Sequence, residues 1–331
     1  MKPKGTLLLR RKEIAELLSL DECIAAVEQA FLLYAEGKSP PPGILGVPAT
    51  EGGFHIKAAE LKLGRSYFAV KTNGNFFRNQ QRFGMPNIQG IVLLSDGENG
   101  YPLALMDSIE ITILRTGAAT AVAAKYLARP DATVATICGC GNQGRVQLRA
   151  LARVRRLERV HAYDIDAEQA EQFAGELSDE LGIAVRAVRE LAEAVRQSDI
   201  CVTCTPSRSL FLKREDVAPG TFIAAVGADS PEKQELDPAL VASSKIVVDI
   251  LEQCATIGEL HHALEKGLLT RADVHAELGK VIAGHKPGRT SREEVILFDS
   301  TGTALQDAAA AVMVYEKAVH AGRGITLDFA E

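Results

Sequence analysis

The chain has no run of about twenty apolar residues, so no segment reads as a membrane-spanning helix. It also lacks an apolar N-terminal core with a small-residue cleavage site. No secretory signal is therefore expected, and the cytoplasm is the expected location. Positive charge is not in excess: the formal net charge is −6 over 331 residues, which argues against general nucleic-acid binding. The basic cluster Arg153, Arg155, Arg156 and Arg159 reads as a solvated helix end. Internal repeats and low-complexity tracts are missing. Cysteine is sparse, six residues, and forms neither a disulfide framework nor a metal-ligand pattern. Cys201 and Cys204 do make a CxxC, but they lie in the β-like run Asp199–Thr205, where residues three apart point to opposite faces. Buried, inert thiols are the expected outcome. His261-His262 is isolated on a helix face, and no metal is expected. What remains is length enough for two domains and apolar content ordinary for a packed core.

The feature with most content lies mid-chain. The apolar run Ala132–Cys138 leads into Gly139-Cys140-Gly141-Asn142-Gln143-Gly144, then a helix-like stretch Arg145–Val154, then a second apolar run ending at Asp164. Strand, glycine turn, helix, strand and acid is the order of a dinucleotide-binding βαβ unit. Gly139 permits the tight turn, Gly141 lets backbone approach a pyrophosphate, and Gly144 lets the helix pack closely on the strand. Unpaired N–H groups at the helix start, with the positive dipole end, suit phosphates. A glycine-rich turn with no ligand is the competing reading. Asp164, at the end of the strand Arg159–Tyr163, can accept hydrogen bonds from both ribose hydroxyls and would repel a 2′-phosphate, so NAD is expected over NADP. Asp166 is the competing acid, better suited to a helix cap.

Around this unit the chain alternates. A short strand Thr6–Leu9, a helix turn at Glu13–Leu18 and an amphipathic helix Asp21–Glu36 come first, the last with Ser19 or Asp21 as cap and Gly37 past its end. Residues 44–107 read as mostly β, with Phe54–Ala59 and Tyr67–Thr72 flanking a turn near Gly64 and further strands at Ile88–Ser95 and Leu103–Met106. An Ala-rich helix Ile111–Leu127 leads into the dinucleotide region. Strands follow at Ala184–Val188, Ile200–Thr205, Thr221–Val226 and Lys245–Asp249, with helices between, the pattern of a doubly wound sheet. Val295–Gly302 reads as a strand then a polar turn, and the Ala-rich helix Ala304–Ala318 after it is expected to return to the first domain. The fold class is α/β: a Rossmann-type dinucleotide-binding domain at 119–305 and a discontinuous α+β substrate-binding and dimerisation domain at 1–118 with 306–331.

Four charged residues are ones a fold alone would not choose. Across a hairpin at Gly64, residues whose numbers sum to 128 face each other, and Lys57 and Lys71 do. Like charges directly opposed are destabilising, and an anion between them relieves this. A substrate carboxylate is the candidate; a shifted register with one lysine snorkelling to solvent is the alternative. Arg115 lies in an otherwise apolar, small-residue helix, where its guanidinium fork suits a carboxylate. Its alternative role is an ion pair with Asp107 or Glu110. Asp229 follows the strand Thr221–Val226, at a strand C-terminus where ligands bind in open α/β sheets. It can move protons for an amine or imine, or simply cap a helix.

Together these residues resemble the ornithine cyclodeaminase/μ-crystallin family over nearly the whole chain. The carrying motifs, in order, are Ile113–Ala119 (ILRTGAA), Gly139–Gly144 (GCGNQG), Thr203–Pro206 (TCTP), Gly227–Asp229 (GAD), Lys233–Asp237 (KQELD) and Phe298–Gly302 (FDSTG). The resemblance implies that Lys71 and Arg115 hold a substrate carboxylate, with Lys71 and Asp229 catalytic and Asp229 the acid/base. It implies cofactor contacts at Asn142, Gln143, Asp164, Thr205, Val226, Gly227, Ala228, Asp229, Lys233 and Ser300, with Arg115 close by, and a substrate contact at Thr301. Asn87 stands where the family often has a cofactor-contacting threonine. Many members carry an arginine near residue 43; here the loop reads Pro41-Pro42-Gly43-Ile44, and Lys57 is the candidate to take that role.

The family's activities divide among cyclodeaminases, which return the hydride, alanine dehydrogenases and imino-acid reductases, which stop after one transfer, and μ-crystallins, which bind NADPH. Asp107–Thr112 and Thr205–Arg208 resemble the alanine dehydrogenase branch. The implied function is an NAD-dependent amino-acid/imino-acid oxidoreductase forming a homodimer, with ornithine cyclodeaminase as first alternative and a μ-crystallin-like NAD(P)H-binding protein as second.

Overall fold

The computed structural model describes residues 5–329. The chain forms two compact units: one runs through Arg115 and resumes at Thr303, and the other is Thr116–Gly302. The first boundary falls inside the helix Ile109–Leu127.

The first unit is built on a seven-stranded sheet, in the order Ile325–Leu327, Thr6–Leu9, Pro102–Asp107, Ile88–Asp96, Arg65–Asn75, Gly52–Leu63, Gly43–Ala49. Only the Thr6–Leu9/Pro102–Asp107 pair is parallel. Gly64, at φ +77, closes the longest hairpin, a conformation that suits glycine. The register pairs Leu63 with Arg65 and, farther along, Lys57 with Lys71. Gly43–Ala49, to which the sequence assigns no separate strand, is an edge strand exposed along its length, so burial gives it no alternating pattern to read.

Two helices cover one face of this sheet. Leu20–Ala35 starts at a reciprocal cap, Ser19 Oγ accepting from the Glu22 amide at 3.3 Å and the Glu22 carboxylate accepting from the Ser19 amide at 3.2 Å. Ala304–Ala321 starts at Thr303, whose hydroxyl accepts from the Leu305 amide. Its buried run of alanines lets it lie close to both Leu20–Ala35 and the strands beneath.

The second unit is an eight-stranded sheet, every neighbouring pair parallel. The order is Ala276–Glu277, Lys245–Val248, Ile296–Asp299, Phe222–Ala225, Ile200–Thr203, Val134–Cys138, Arg159–Tyr163, Ala184–Ala187. Its central strands are buried and largely apolar, as strands covered on both faces must be, while the edge strand Ala184–Ala187 is mostly exposed. The chain starts at Val134–Cys138, moves outward through Arg159–Tyr163 and Ala184–Ala187, then crosses to Ile200–Thr203 on the other side. That reversal places a topological switch between Val134–Cys138 and Ile200–Thr203, the position where such sheets bind ligands. A second, two-stranded parallel sheet joins Arg208–Leu212 to Gln234–Leu236. Among the described residues no helix is long and apolar enough to cross a membrane.

Candidate functional site

At the switch point of the second unit, Val134–Cys138 turns through Gly139 at φ +102 and enters the helix Asn142–Val154, with Gly141 as its N-cap. A Cβ on Gly144 would collide with the Gly139 carbonyl, which is why helix and strand approach so closely here. A Cβ on Gly141 would meet nothing within 4 Å, leaving backbone N–H groups approachable. Gln143 Oε1 is buried with no hydrogen-bond partner among the described residues, while Asn142 is exposed. Asp164 follows the next strand. Its Oδ2 accepts from the Cys140 amide and from Gln169 Nε2, both at 2.8 Å, and its Oδ1 accepts from the Asp166 amide at 3.0 Å. These bonds fix the carboxylate beside the glycine turn and leave it lone-pair capacity. Asp166 caps the helix Ala167–Leu181. A bare helix start, an unpartnered acceptor and an oriented acid fit a dinucleotide.

The neighbouring strand ends add to this rim. Thr205 follows Ile200–Thr203; Val226, Gly227, Ala228 and Asp229 follow Phe222–Ala225. Lys233 Nζ reaches Asp229 Oδ1 at 2.6 Å and the Gly227 carbonyl at 3.2 Å, so it orients the Asp229 carboxylate. Ser300 and Thr301 are buried after Ile296–Asp299, their hydroxyls donating to Asp249 at 3.1 and 3.3 Å. Gln253 Nε2 donates to Thr301 Oγ1 at 2.7 Å.

Cys201 is buried, and burial raises the Cys204 thiol well above its ordinary value. Cys204 Sγ lies against the Cys138 and Gly139 carbonyls, both at 3.3 Å. His261 and His262 gain a neighbour that the sequence does not pair with them: with Glu265 they bring ligand-type atoms within 4.8 Å of one another. One ring nitrogen of His262 is already engaged by the Lys233 carbonyl at 2.7 Å.

In the first unit the structure gathers Lys57, Lys71 and Arg115 around an acid that sequence reasoning missed. Lys71 Nζ lies 2.8 Å from Asp307 Oδ1 and Arg115 Nε 3.0 Å from the same oxygen. Arg115 Nη1 donates to Gln306 Oε1 at 2.7 Å. Lys57, Lys71 and Arg115 are at most 5% exposed, and Asp307 is 1% exposed. The ion pairs with Asp107 or Glu110 weighed for Arg115 are not made: Asp107 is held by Arg11 at 3.0 Å and takes the Ile109 amide.

The cluster is not saturated. Arg115 Nε faces Asp307 off hydrogen-bond alignment, and Asp307 Oδ2 and Gln306 Nε2 are buried with no hydrogen-bond partner among the described residues. Burial, then Arg115 and Lys57, push Lys71 down to about 7, with Asp307 opposing. Asp307 stays below its ordinary value although burial raises it, because Lys71, Arg115 and Lys57 favour its charge. Its place in the first turn of Ala304–Ala321 adds the helix dipole. The signal for Asp307 was in the sequence: an acid in an Ala-rich apolar helix, the mirror image of Arg115. Asn87 lies elsewhere in this unit, with its Oδ1 engaged by the Gln80 amide at 3.1 Å.

Known proteins resemble the chain over nearly its whole length. A family model described as the ornithine cyclodeaminase/mu-crystallin family matches residues 4–322. An alanine dehydrogenase of Archaeoglobus fulgidus is 42% identical over 324 residues, 98% of each chain. The solved structure of an archaeal alanine dehydrogenase dimer with bound NAD has a TM-score of 0.94 at 43% identity, covering 98% of this chain and 99% of that one. A Thermococcus litoralis Δ1-pyrroline-2-carboxylate reductase, solved with NADH and L-proline, has a TM-score of 0.92 at 38% identity, covering 97% of this chain and all of that one.

Proposed function

The chain belongs to the ornithine cyclodeaminase/mu-crystallin family, and from that premise we propose that it is an NAD-dependent oxidoreductase of amino and imino acids, working at the α-carbon of a carboxylate-bearing substrate. Relatives of the same length and fold with alanine dehydrogenase and imino-acid reductase activities support the reading. The observation that carries it is the unsaturated Lys71–Asp307–Arg115 cluster. A buried cluster of three cations around one acid, with polar atoms left over, is expensive as scaffold and suited to an incoming anion.

The bound nicotinamide supplies the hydride acceptor or donor. The protein's part is position and protons. Arg115 and Lys71, with Lys57, hold the carboxylate and so fix the α-carbon. Lys71, poised near neutrality, can also hold or release a proton. Asp229, oriented by Lys233, handles the proton of the substrate nitrogen or of a water that hydrolyses the imine. In the second unit the Gly139–Gly144 turn takes the diphosphate, and Asp164 takes the ribose hydroxyls and disfavours a 2′-phosphate.

The first unit would also form a homodimer. The sheet face opposite the lysines carries Leu45, Val47, Phe54, Phe68 and Ile91, each more than a third exposed. An apolar face beside an open edge strand is the surface a second copy would cover, and the archaeal alanine dehydrogenase is a dimer.

The test is a panel of amino acids with NAD, following nicotinamide reduction and ammonia together. Net NADH is expected. Ammonia and a cyclic amino acid without net NADH would make the protein a cyclodeaminase, and neither signal would make it a binding protein. Asp229→Asn should lower kcat by roughly 10²–10⁴-fold while NAD binds as before; a variant of undiminished kcat would remove Asp229 from the chemistry.

A further inference from the structure

One buried carboxylate in the second unit touches two of the turns that the family resemblance gives to the dinucleotide. Glu235 is fully buried on the short strand Gln234–Leu236. Its Oε1 accepts from the Thr205 amide at 2.6 Å and from Thr205 Oγ1 at 2.7 Å; its Oε2 accepts from the Gly227 amide at 3.2 Å. Thr205 and Gly227 follow two strands, Ile200–Thr203 and Phe222–Ala225, that are neighbours in the parallel sheet. A single side chain therefore ties together two adjacent strand-end turns, on the crevice side where ligands bind.

The donors dictate what this side chain must be. Both amides can only donate. The Thr205 hydroxyl already accepts from the Ser207 amide at 3.2 Å, which leaves its proton for Glu235. Three donors thus converge on two oxygens, an arrangement an ionised carboxylate satisfies and a carboxamide cannot. Burial raises the pKa of Glu235, while the Thr203 side chain, the Thr205 amide and hydroxyl and the Lys233 charge favour its ionised form. Two further features are fitted to it. Gly227 has no side chain where a Cβ would run into the Glu235 carboxylate. Beneath, the buried Glu259 accepts from the Glu235 and Leu236 amides at 2.7 and 3.1 Å, fixing the strand that carries the latch.

We infer that Glu235 is a positioning residue: its carboxylate locks the Thr205 and Gly227 turns in the arrangement that receives the nicotinamide half of the dinucleotide. The adenosine half has separate fittings, the Gly139–Gly144 turn and Asp164, that Glu235 does not touch. The inference rests on the dinucleotide reading above and predicts an effect confined to one end of the ligand.

The experiment compares NADH with ADP-ribose, which lacks the nicotinamide, on wild type and Glu235→Gln. The carboxamide introduced by that substitution must turn its NH2 toward either the Gly227 N–H or the Thr205 N–H, so one turn is released. Expected are a melting temperature near that of wild type, unchanged ADP-ribose affinity, and NADH affinity weakened roughly tenfold or more, the scale of losing a hydrogen bond to a charged group. Bound NADH should also lose part of its fluorescence enhancement. NADH affinity equal to wild type overturns the inference, and so does an equal loss for both ligands, which is what general loosening gives. If Glu235→Gln does not fold, Glu235→Asp keeps the charge but is too short to reach both turns. NADH should then weaken severalfold with ADP-ribose unchanged, and an unaltered NADH affinity overturns the inference. A wild-type protein that binds neither ligand removes the dinucleotide reading and the role of Glu235 with it.

Discussion

Two buried charge clusters in this molecule are built on opposite plans. Around Glu235 and Glu259 five donors, four of them backbone amides, meet two carboxylates and pin short segments of chain. Around Lys71 the partners come from three distant segments, and Asp307 Oδ2 and Gln306 Nε2 are left over. Buried polar atoms are nearly always paired. Acids tied to backbone amides therefore read as scaffold, while leftover donors and acceptors beside Lys71 and Arg115 read as a site awaiting an anion. The difference separates a group that shapes a site from groups that touch substrate.

Lys71→Met is the strongest test of that contrast. If the cluster binds and serves substrate, kcat/KM for the amino acid should fall roughly 10²–10⁴-fold, with Arg115 still present to hold Asp307 and the melting temperature little changed. If the cluster were scaffold like Glu235 and Glu259, the outcome would invert, with lost stability and full activity in the molecules that remain folded.

A smaller effect is expected from Arg115→Lys. The charge is kept, but the planar fork that engages Gln306 Oε1 and can grip a carboxylate is lost. KM for the amino acid should rise roughly tenfold or more while NADH affinity holds. Steady-state kinetics with a parallel NADH titration decides it; an unaltered KM would reassign Arg115 to the pairing with Asp307 alone.

What could be read without coordinates was whatever one short stretch of chain controls. The Gly139–Gly144 turn is six consecutive residues whose backbone demands are written in their glycines. The opposition of Lys57 and Lys71 followed from the single turn at Gly64, because a tight hairpin fixes register for every later pair. The parallel order of the second sheet followed from strands alternating with helices. Asp307 lay beyond such rules: it is 236 residues from Lys71, and nothing local to either names the other. For the same reason the partner sought for Arg115 was placed nearby in sequence, at Asp107 or Glu110. Glu235 was hidden differently, on a three-residue strand too short to show any period. Its neighbours in the sequence gave no hint that its partners were two turns elsewhere in the sheet.

The smallest and most discriminating effect is a shift in pH dependence. Lys71 is pushed down to about 7, first by burial and then by Arg115 and Lys57, against the pull of Asp307. The depressed value means the charged form is disfavoured at the site. Below about 7 Lys71 carries its proton and can hold the carboxylate; as pH rises through that value the grip is lost, so kcat/KM for the amino acid should fall on the alkaline side. Lys57→Met removes one of the like charges that disfavour protonated Lys71, and the limb should move to higher pH. The substrate amine titrates as well, but its ionisation in solution is the same for both enzymes, so the displacement between their profiles reports on the protein alone. A limb that stays in place would mean that Lys57, though directly opposite in the sheet, exerts no field at Lys71. The cluster that meets the substrate carboxylate would then reduce to Lys71, Arg115 and Asp307.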